Sequence, residues 1–401
     1  MKPKIRIKGF NDAWEYSYLY NCLDISTEVN KENKYGKDEV LSVSDDFGVV
    51  NQIKHLGRSY AGKSVSGYKI LLPGQIVYTK SPLRDKPFGI IKENNYQAGI
   101  VSVLYAVYNV KEGIFSKYIQ RYFEPKQRIN KYLIPLVNKG AKNTMNISDE
   151  MSLNGKITKP VTICEQQAIC SYFDKVDELI STASSRLASL KQVKEASLQA
   201  MFPQKGETVP KIRFKGFEGE WVITKAAEIF KTVNERNFSG LPVLSATQDK
   251  GMVTRESIGY NIFHDKANES TYKHIRPGQF VMHLRSFQGG FAHSAIEGIC
   301  SPAYTIMEFK DKEVNHDLYW KYVLASKHFI KSLEMITYGI RDGRTISFDE
   351  FKEMVFLVPK VEEQQHIASY FTSLDKQIAL QTQRLEKLRQ IKAACLDKMF
   401  V

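Results

Sequence analysis

Two stretches of the chain carry a helical stripe, while the remainder follows shorter apolar runs broken by turn residues. From Asp174 to Phe202 the apolar positions include Ile180, Ala183, Leu187, Leu190, Val193, Leu198 and Met201. From Thr372 to Phe400 they include Leu374, Ile378, Leu385, Leu388, Ile391 and Met399. Spacing by three and four places one apolar face on each helix. Neither stretch contains Gly or Pro, and Glu165 and Glu363 sit near the helix starts, where a carboxylate suits the dipole. Each of these 29-residue stretches would form a rod of about 43 Å. Such a rod cannot bury its stripe alone, so the other copy is the expected partner. Pairing is antiparallel if each helix returns beside its own globular part, and the sequence leaves a parallel arrangement open.

The globular parts read as strand-rich. Val40–Val43, Lys69–Leu72, Ile76–Thr79, Gly99–Val110, Val243–Ala246, Gln279–Leu284, Ala303–Phe309 and Met354–Val358 are β-type runs, with turns at Leu72-Pro73-Gly74-Gln75 and Arg276-Pro277-Gly278-Gln279. Short helices are expected at Ser116–Phe123 and His316–Glu334. The fold class is α+β.

The chain repeats itself. Pro3-Lys4-Ile5-Arg6-Ile7-Lys8-Gly9-Phe10, followed by Trp14, returns 207 residues later as Pro210-Lys211-Ile212-Arg213-Phe214-Lys215-Gly216-Phe217, followed by Trp221. Pro73-Gly74-Gln75 returns as Pro277-Gly278-Gln279, and Glu165-Gln166-Gln167 as Glu363-Gln364-Gln365. Met201-Phe202 and Met399-Phe400 close the two copies. Landmarks kept in order over a period near 200 residues mean two copies of one module, since solenoid repeats are far shorter. The expected layout is a first domain at 1–160, a helical spacer at 161–202, a second domain at 203–371 and a second spacer at 372–401.

Composition is that of a soluble globular protein, and MKPKIRIKGF has no apolar signal segment, so a cytoplasmic location is the expectation. The five cysteines form no C-x-x-C pair, which disfavours a metal cluster or disulfide framework. The net charge of +13 makes a polyanion the first partner to consider, although charge alone also suits a basic protein without one. The excess is uneven: residues 1–160 carry +10 and residues 203–371 only +1. Two copies kept in register yet differing in charge point to one scaffold presenting two surfaces.

Signatures of catalysis are missing. There is no Pro-Pro turn of the kind that holds a flipped adenine, no G-x-G-x-x-G, no Walker A sequence and no H-E-x-x-H. Recognition remains. After the shared Pro-Gly-Gln turn the copies diverge, giving Lys80-Ser81 with Arg84 and Lys86 in one, and Arg285-Ser286 with Gln288 and Gly289 in the other. Arg suits guanine, Gln suits adenine, and Lys and Ser serve phosphates or bases. Lys142, Arg341 and Arg344 lie in Gly-flanked basic loops whose backbone could approach phosphate.

With these motifs in order, the layout resembles the specificity subunit of a type I restriction-modification system, over essentially all 401 residues. The resemblance implies two similar target-recognition domains with strand-rich cores, separated by two long helices packed as an antiparallel coiled coil, with an internal pseudo-twofold repeat. It implies a subunit that is not an enzyme by itself and reads an asymmetric bipartite site on double-stranded DNA. Two methyltransferase subunits would supply S-adenosylmethionine, and restriction subunits, where present, ATP and Mg. Lys80, Ser81, Arg84, Lys86, Lys142, Arg285, Ser286, Gln288, Gly289, Arg341 and Arg344 become the expected DNA contacts. Ile180, Leu187, Leu190, Ile378, Leu385 and Leu388 become the spacer and subunit interface. This chain is expected to bind no cofactor or metal. The competing reading is a stand-alone nucleic-acid-binding scaffold without methyltransferase partners.

Overall fold

The computed structural model describes residues 1–83, 86–139, 145–204, 206–247, 250–258, 266–283, 290–336 and 347–401. The chain divides into two compact units. Unit 1 comprises Met1–Ser184 with Gln383–Val401, and unit 2 comprises Ser185–Thr382. Each unit therefore holds one globular part, a portion of the long helix Ile163–Ala200 and a portion of the long helix Val361–Lys398.

Unit 1 is built on a four-stranded antiparallel sheet in the order Leu23–Ile25, Ala106–Val110, Ile76–Tyr78, Ile91–Glu93. Unit 2 has the same order with Phe230–Val233, Thr305–Phe309, Phe280–Met282 and Phe291–His293. Ile76–Tyr78 and Phe280–Met282 are buried at every position, because their sheets are covered on both faces. A second sheet in unit 2 runs Gly251–Thr254, Val243–Thr247, Gly298–Cys300, Lys273–Ile275. Its counterpart in unit 1 is two strand pairs, Leu41–Ser44 with Gly48–Asn51 and Lys69–Leu71 with Gly99–Val101, joined by a parallel bridge between Val40 and Ile100. The Gly99–Val110 run expected as one strand is two, divided by a turn in which Tyr105 N–H donates to the Ser102 carbonyl. Likewise the His316–Glu334 helix is two, Asp317–Leu324 and Lys327–Ile336. Ser116–Phe123 is helical over the expected span.

Each long helix has 38 residues, about 57 Å of rise, and begins eleven residues before the Asp174 and Thr372 starts read from the apolar stripe. The added turns are not a rod. Glu165, Gln166, Ile169, Cys170 and Phe173 are buried, and the last three belong to the unit 1 core. Within unit 1 the two helices run in opposite directions: Tyr172 Oη meets Cys395 Sγ at 3.3 Å and Lys392 Nζ meets Asp177 at 2.8 Å. Within unit 2 Ser197 pairs with Tyr370 at 2.9 Å and Lys194 with Asp375 at 2.5 Å, again in opposite directions.

The Met-Phe endings have a packing reason. Phe400 sits among Trp14, Tyr118, Tyr122 and Phe173 in unit 1, and Phe202 among Trp221, Tyr319 and Phe371 in unit 2. Each globular core thus receives the end of a long helix as an aromatic plug, where edge-to-face contact adds to plain burial.

Candidate nucleic-acid interface

The recurring motifs turn out to be partners of one another. Arg6 Nε and Nη2 each donate to Glu165 at 2.8 Å, and Arg213 does the same to Glu363 at 2.7 Å. These carboxylates are 2% and 1% exposed, so the two-pronged grip neutralises a charge that burial would otherwise expel. The next residue, Gln166, donates to the Gly113 carbonyl at 3.2 Å and accepts from Phe115 N–H at 2.9 Å. Gln364 donates to the Val314 carbonyl at 3.0 Å and accepts from His316 N–H at 2.9 Å. The opener and the Glu-Gln-Gln motif, far apart in sequence, therefore fasten the first turn of each helix to its own domain.

The Pro-Gly-Gln turn is likewise structural. Gln75 accepts from Leu72 N–H at 2.7 Å and donates to Asn109 at 2.7 Å, while Gln279 accepts from Arg276 N–H at 2.7 Å and donates to Glu308 at 3.0 Å. Gly74 and Gly278 share a φ of +84°, which only glycine adopts without strain. This lock sets up the central strand, and from its end a loop departs before the chain returns as the edge strand. The loop base is closed by Thr79 N–H to the Ile90 carbonyl at 3.1 Å in unit 1, and by His283 N–H to the Gly290 carbonyl at 3.0 Å in unit 2.

These two loops hold most of the residues expected to touch DNA. In unit 1, Lys80 has a left-handed backbone with φ +49°, an uncommon state for a side-chain-bearing residue. Its ammonium reaches Asp149 Oδ1 at 2.6 Å, and Lys69 takes Asp149 Oδ2 at 2.6 Å. Burial disfavours the charge on Asp149, but the two ammonium groups outweigh it and hold the carboxyl below its usual range. Ser81 Oγ donates to the Thr79 carbonyl at 3.2 Å. Lys86 is an internal cation rather than a free one. It is 7% exposed, and its ammonium is taken by Asp45 at 2.8 Å and the Glu124 carbonyl at 3.1 Å. Lys92 donates to the Asp45 carbonyl at 2.7 Å. Against the penalty of burial, these lysines hold the Asp45 carboxyl below its usual range. Arg84, Lys142, Arg285, Ser286, Gln288, Gly289, Arg341 and Arg344 lie outside the described residues.

Of the expected spacer residues, Leu385 is buried and Ile180, Leu187, Leu190, Ile378 and Leu388 are half-buried. On the predicted stripe Ala183 is buried while Val193 and Ile391 are exposed, and Gln381, off the stripe, is buried. Among the described residues no group of His, Cys, Asp and Glu could hold a metal ion, and no helix is long and apolar enough to cross a membrane. One basic segment escaped the sequence reading. No acid lies between Asp46 and Asp85, while Lys54, Arg58, Lys63, Lys69, Lys80 and Arg84 do. That gap in acidic residues was the available signal.

Comparison with known proteins agrees with the scaffold. A crystal structure of the S subunit of a type I restriction-modification system from M. genitalium covers 100% of this chain and 99% of its own, with 12% identity and a TM-score of 0.59. A chain from a study of complex assembly and conformational transition of the type I R-M system covers 96% and 97%, with 16% identity and a TM-score of 0.50. At these identities the likeness is one of fold. No curated protein is detectably similar in sequence. Residues 218–390 match the family described as type I restriction modification DNA specificity domain. Over these residues the chain matches the type I restriction-modification DNA specificity domain, and unit 1 repeats the arginine grip of its helix clamp.

Proposed function

We propose that this chain is the non-catalytic sequence-recognition subunit of a type I restriction-modification complex, reading an asymmetric bipartite site on double-stranded DNA. Each domain takes one half-site. The long helices, paired as an antiparallel coiled coil with a pseudo-twofold repeat, act as the spacer and as the seat for two methyltransferase subunits. Those partners bring S-adenosylmethionine and methylate adenine in the cytoplasm, and restriction subunits, where present, bring ATP and Mg. This chain supplies recognition alone.

One observation carries the reading. The two units share their clamp, their Pro-Gly-Gln lock and their central sheet order, yet the loops leaving those sheets differ in sequence and the domains differ in charge. A duplicated frame with divergent loops is what two different half-sites require. In this reading Lys80, Ser81, Arg84 and Lys142 serve one half-site, and Arg285, Ser286, Gln288, Gly289, Arg341 and Arg344 the other. In the same reading Lys86, buried and held by Asp45, supports the loop from within.

Co-expression with the neighbouring methyltransferase candidate in a methylation-free host, followed by long-read methylation mapping, tests the proposal. Two unlike short blocks around a fixed gap, methylated only when both chains are present, is the expected outcome. A palindromic motif would contradict it, and methylation that does not need this chain would remove its recognition role.

A further inference from the structure

The described cations from Lys54 to Lys92 fall into two groups. Lys69, Lys80, Lys86 and Lys92 are paired with Asp149 or Asp45. Lys54, Arg58 and Lys63 are exposed and have no ion-pair partner among the described residues. All three lie within the acid-free stretch, on the segment that follows the Leu41–Ser44 and Gly48–Asn51 hairpin. Three large apolar side chains are exposed beside them, Phe47 at 67% in the hairpin turn and Leu56 at 48% and Tyr60 at 58% on the segment itself. Apolar side chains scattered singly need no explanation, but three of them close to three cations without an ion pair among the described residues form a surface suited to a polyanionic ligand.

This surface is held in shape by polar bonds within the segment and to the hairpin. Asn51, 5% exposed, accepts from Lys54 N–H at 3.1 Å and donates to the Asp38 carbonyl at 2.6 Å. That caps the short helix Gln52–Leu56, which ends at Gly57 with φ +78°. Gln52 then reaches across the turn. Its Oε1 accepts from Tyr60 N–H at 2.6 Å and its Nε2 donates to Ser42 Oγ at 3.0 Å. The Arg58 guanidinium lies 4.6 Å from the Tyr60 ring centre, and the rings of Phe47 and His55 are 5.2 Å apart. An arginine laid on an aromatic ring loses less freedom when it meets a phosphate or a base than one waving in water. The hairpin turn is also tied to the recognition loop, because Asp45 in that turn holds both Lys86 and Lys92. In unit 2 the matching hairpin, Val243–Thr247 with Gly251–Thr254, leads into Arg255–Ile258, where Glu256 follows Arg255 directly and Arg255 Nε is spent on Ser245 at 3.2 Å.

We infer that the segment from Phe47 to Lys63 is a second DNA-contacting surface of unit 1, in which Lys54, Arg58 and Lys63 neutralise backbone phosphates of duplex DNA and Tyr60 positions Arg58. The inference rests on the DNA-recognition reading above. It adds that the first domain supplies the larger share of the salt-dependent affinity, from residues outside the loop between its paired strands.

The test uses the full chain in complex with its methyltransferase partner and a labelled duplex carrying the mapped motif, titrated over a series of KCl concentrations. Each phosphate contact removed lowers the slope of log affinity against log salt by about one. The triple variant K54A/R58A/K63A should therefore lose about three from that slope and bind more than tenfold more weakly at low salt. Its methylated motif should keep both blocks. Tyr60→Ala should lower the slope by about one through Arg58, with Tyr60→Phe restoring it. Because all four side chains are exposed, the variants should keep the wild-type melting temperature. If the wild-type complex binds the duplex steeply with salt while the triple variant binds identically, the inference fails and the recognition reading stands. If the wild-type complex binds no duplex, both fail. If the triple variant loses the methyltransferase partner while the chain still binds DNA as before, the surface is a protein-docking face and the inference is overturned.

Discussion

Arg6 and Arg213 hold Glu165 and Glu363 in the same grip, but the third donor differs. In unit 1 Trp14 Nε1 also donates to Glu165, at 3.1 Å, while the matching Trp221 Nε1 of unit 2 is buried without a hydrogen-bond partner among the described residues. The frame therefore tolerates the loss of one bond where two others remain. It does not tolerate the loss of the arginine grip, since a carboxylate in that position would be buried alone. The difference separates what both units need in order to fold from what each is free to vary, and the loops belong to the second class.

The comparison can be broken most forcefully at the clamp. Arg213→Ala should destabilise unit 2 by about 3–5 kcal/mol, measured by urea unfolding, because Glu363 is left without a counter-charge. Arg6→Ala should cost less, since Trp14 still donates to Glu165. Equal losses would mean that the tryptophan contributes nothing to the clamp.

A smaller effect should come from the hairpin glycines. Gly251 has φ +72°, and a Cβ there would lie 2.3 Å from the His293 carbonyl oxygen. Gly48 has φ +70° with nothing closer than 3.9 Å. Gly48→Ala should cost about 1–2 kcal/mol from backbone conformation alone, and Gly251→Ala clearly more, because backbone must move. Thermal melts of the two variants check this, and reversal of the order would count against the tighter hairpin packing in unit 2.

Next comes the tryptophan pair itself. Trp14→Phe and Trp221→Phe remove similar volume, but only the first removes a bond to a charged group, so it should be more destabilising by about 1–2 kcal/mol. The same unfolding assay reads the difference.

The smallest effect is on acid stability. Asp45 and Asp149 have folded pKa values below normal, so their contribution is complete above the unfolded value of about 3.9 and fades as pH falls toward the lower folded values. Stability from this source should be flat between about pH 7 and 5 and decline below about 4. Asp149→Asn should flatten that decline, by no more than about 1 kcal/mol given partial exposure. An unchanged acid limb would remove these pairs from the account.

Much of the frame could be read in advance because it repeats. The openers, the Glu-Gln-Gln motifs and the Met-Phe endings mark the places where each unit is fastened, and the Ser116–Phe123 helix shows its apolar face plainly. The apolar stripe alone does not reach the first turns of the long helices, because buried polar residues such as Glu165 and Gln166 interrupt its period, and the Glu-Gln-Gln motifs mark those turns instead. Val193 and Ile391 fit a single stripe on paper, but each helix joins one domain core at its start and the other core at its end, so the buried face shifts along its length. The role of Lys86 was invisible because its partner Asp45 is 41 residues away. Arg58 and Tyr60 looked like any solvated loop until the Gln52 bond showed the loop to be fixed.

The claim that one frame carries two separate readers is tested most directly by methylation mapping of the wild-type complex beside its Arg285→Ala variant. The account predicts an asymmetric two-block motif in the first, and in the second the same motif with one block relaxed or lost and the other unchanged. A variant in which both blocks change together would contradict it.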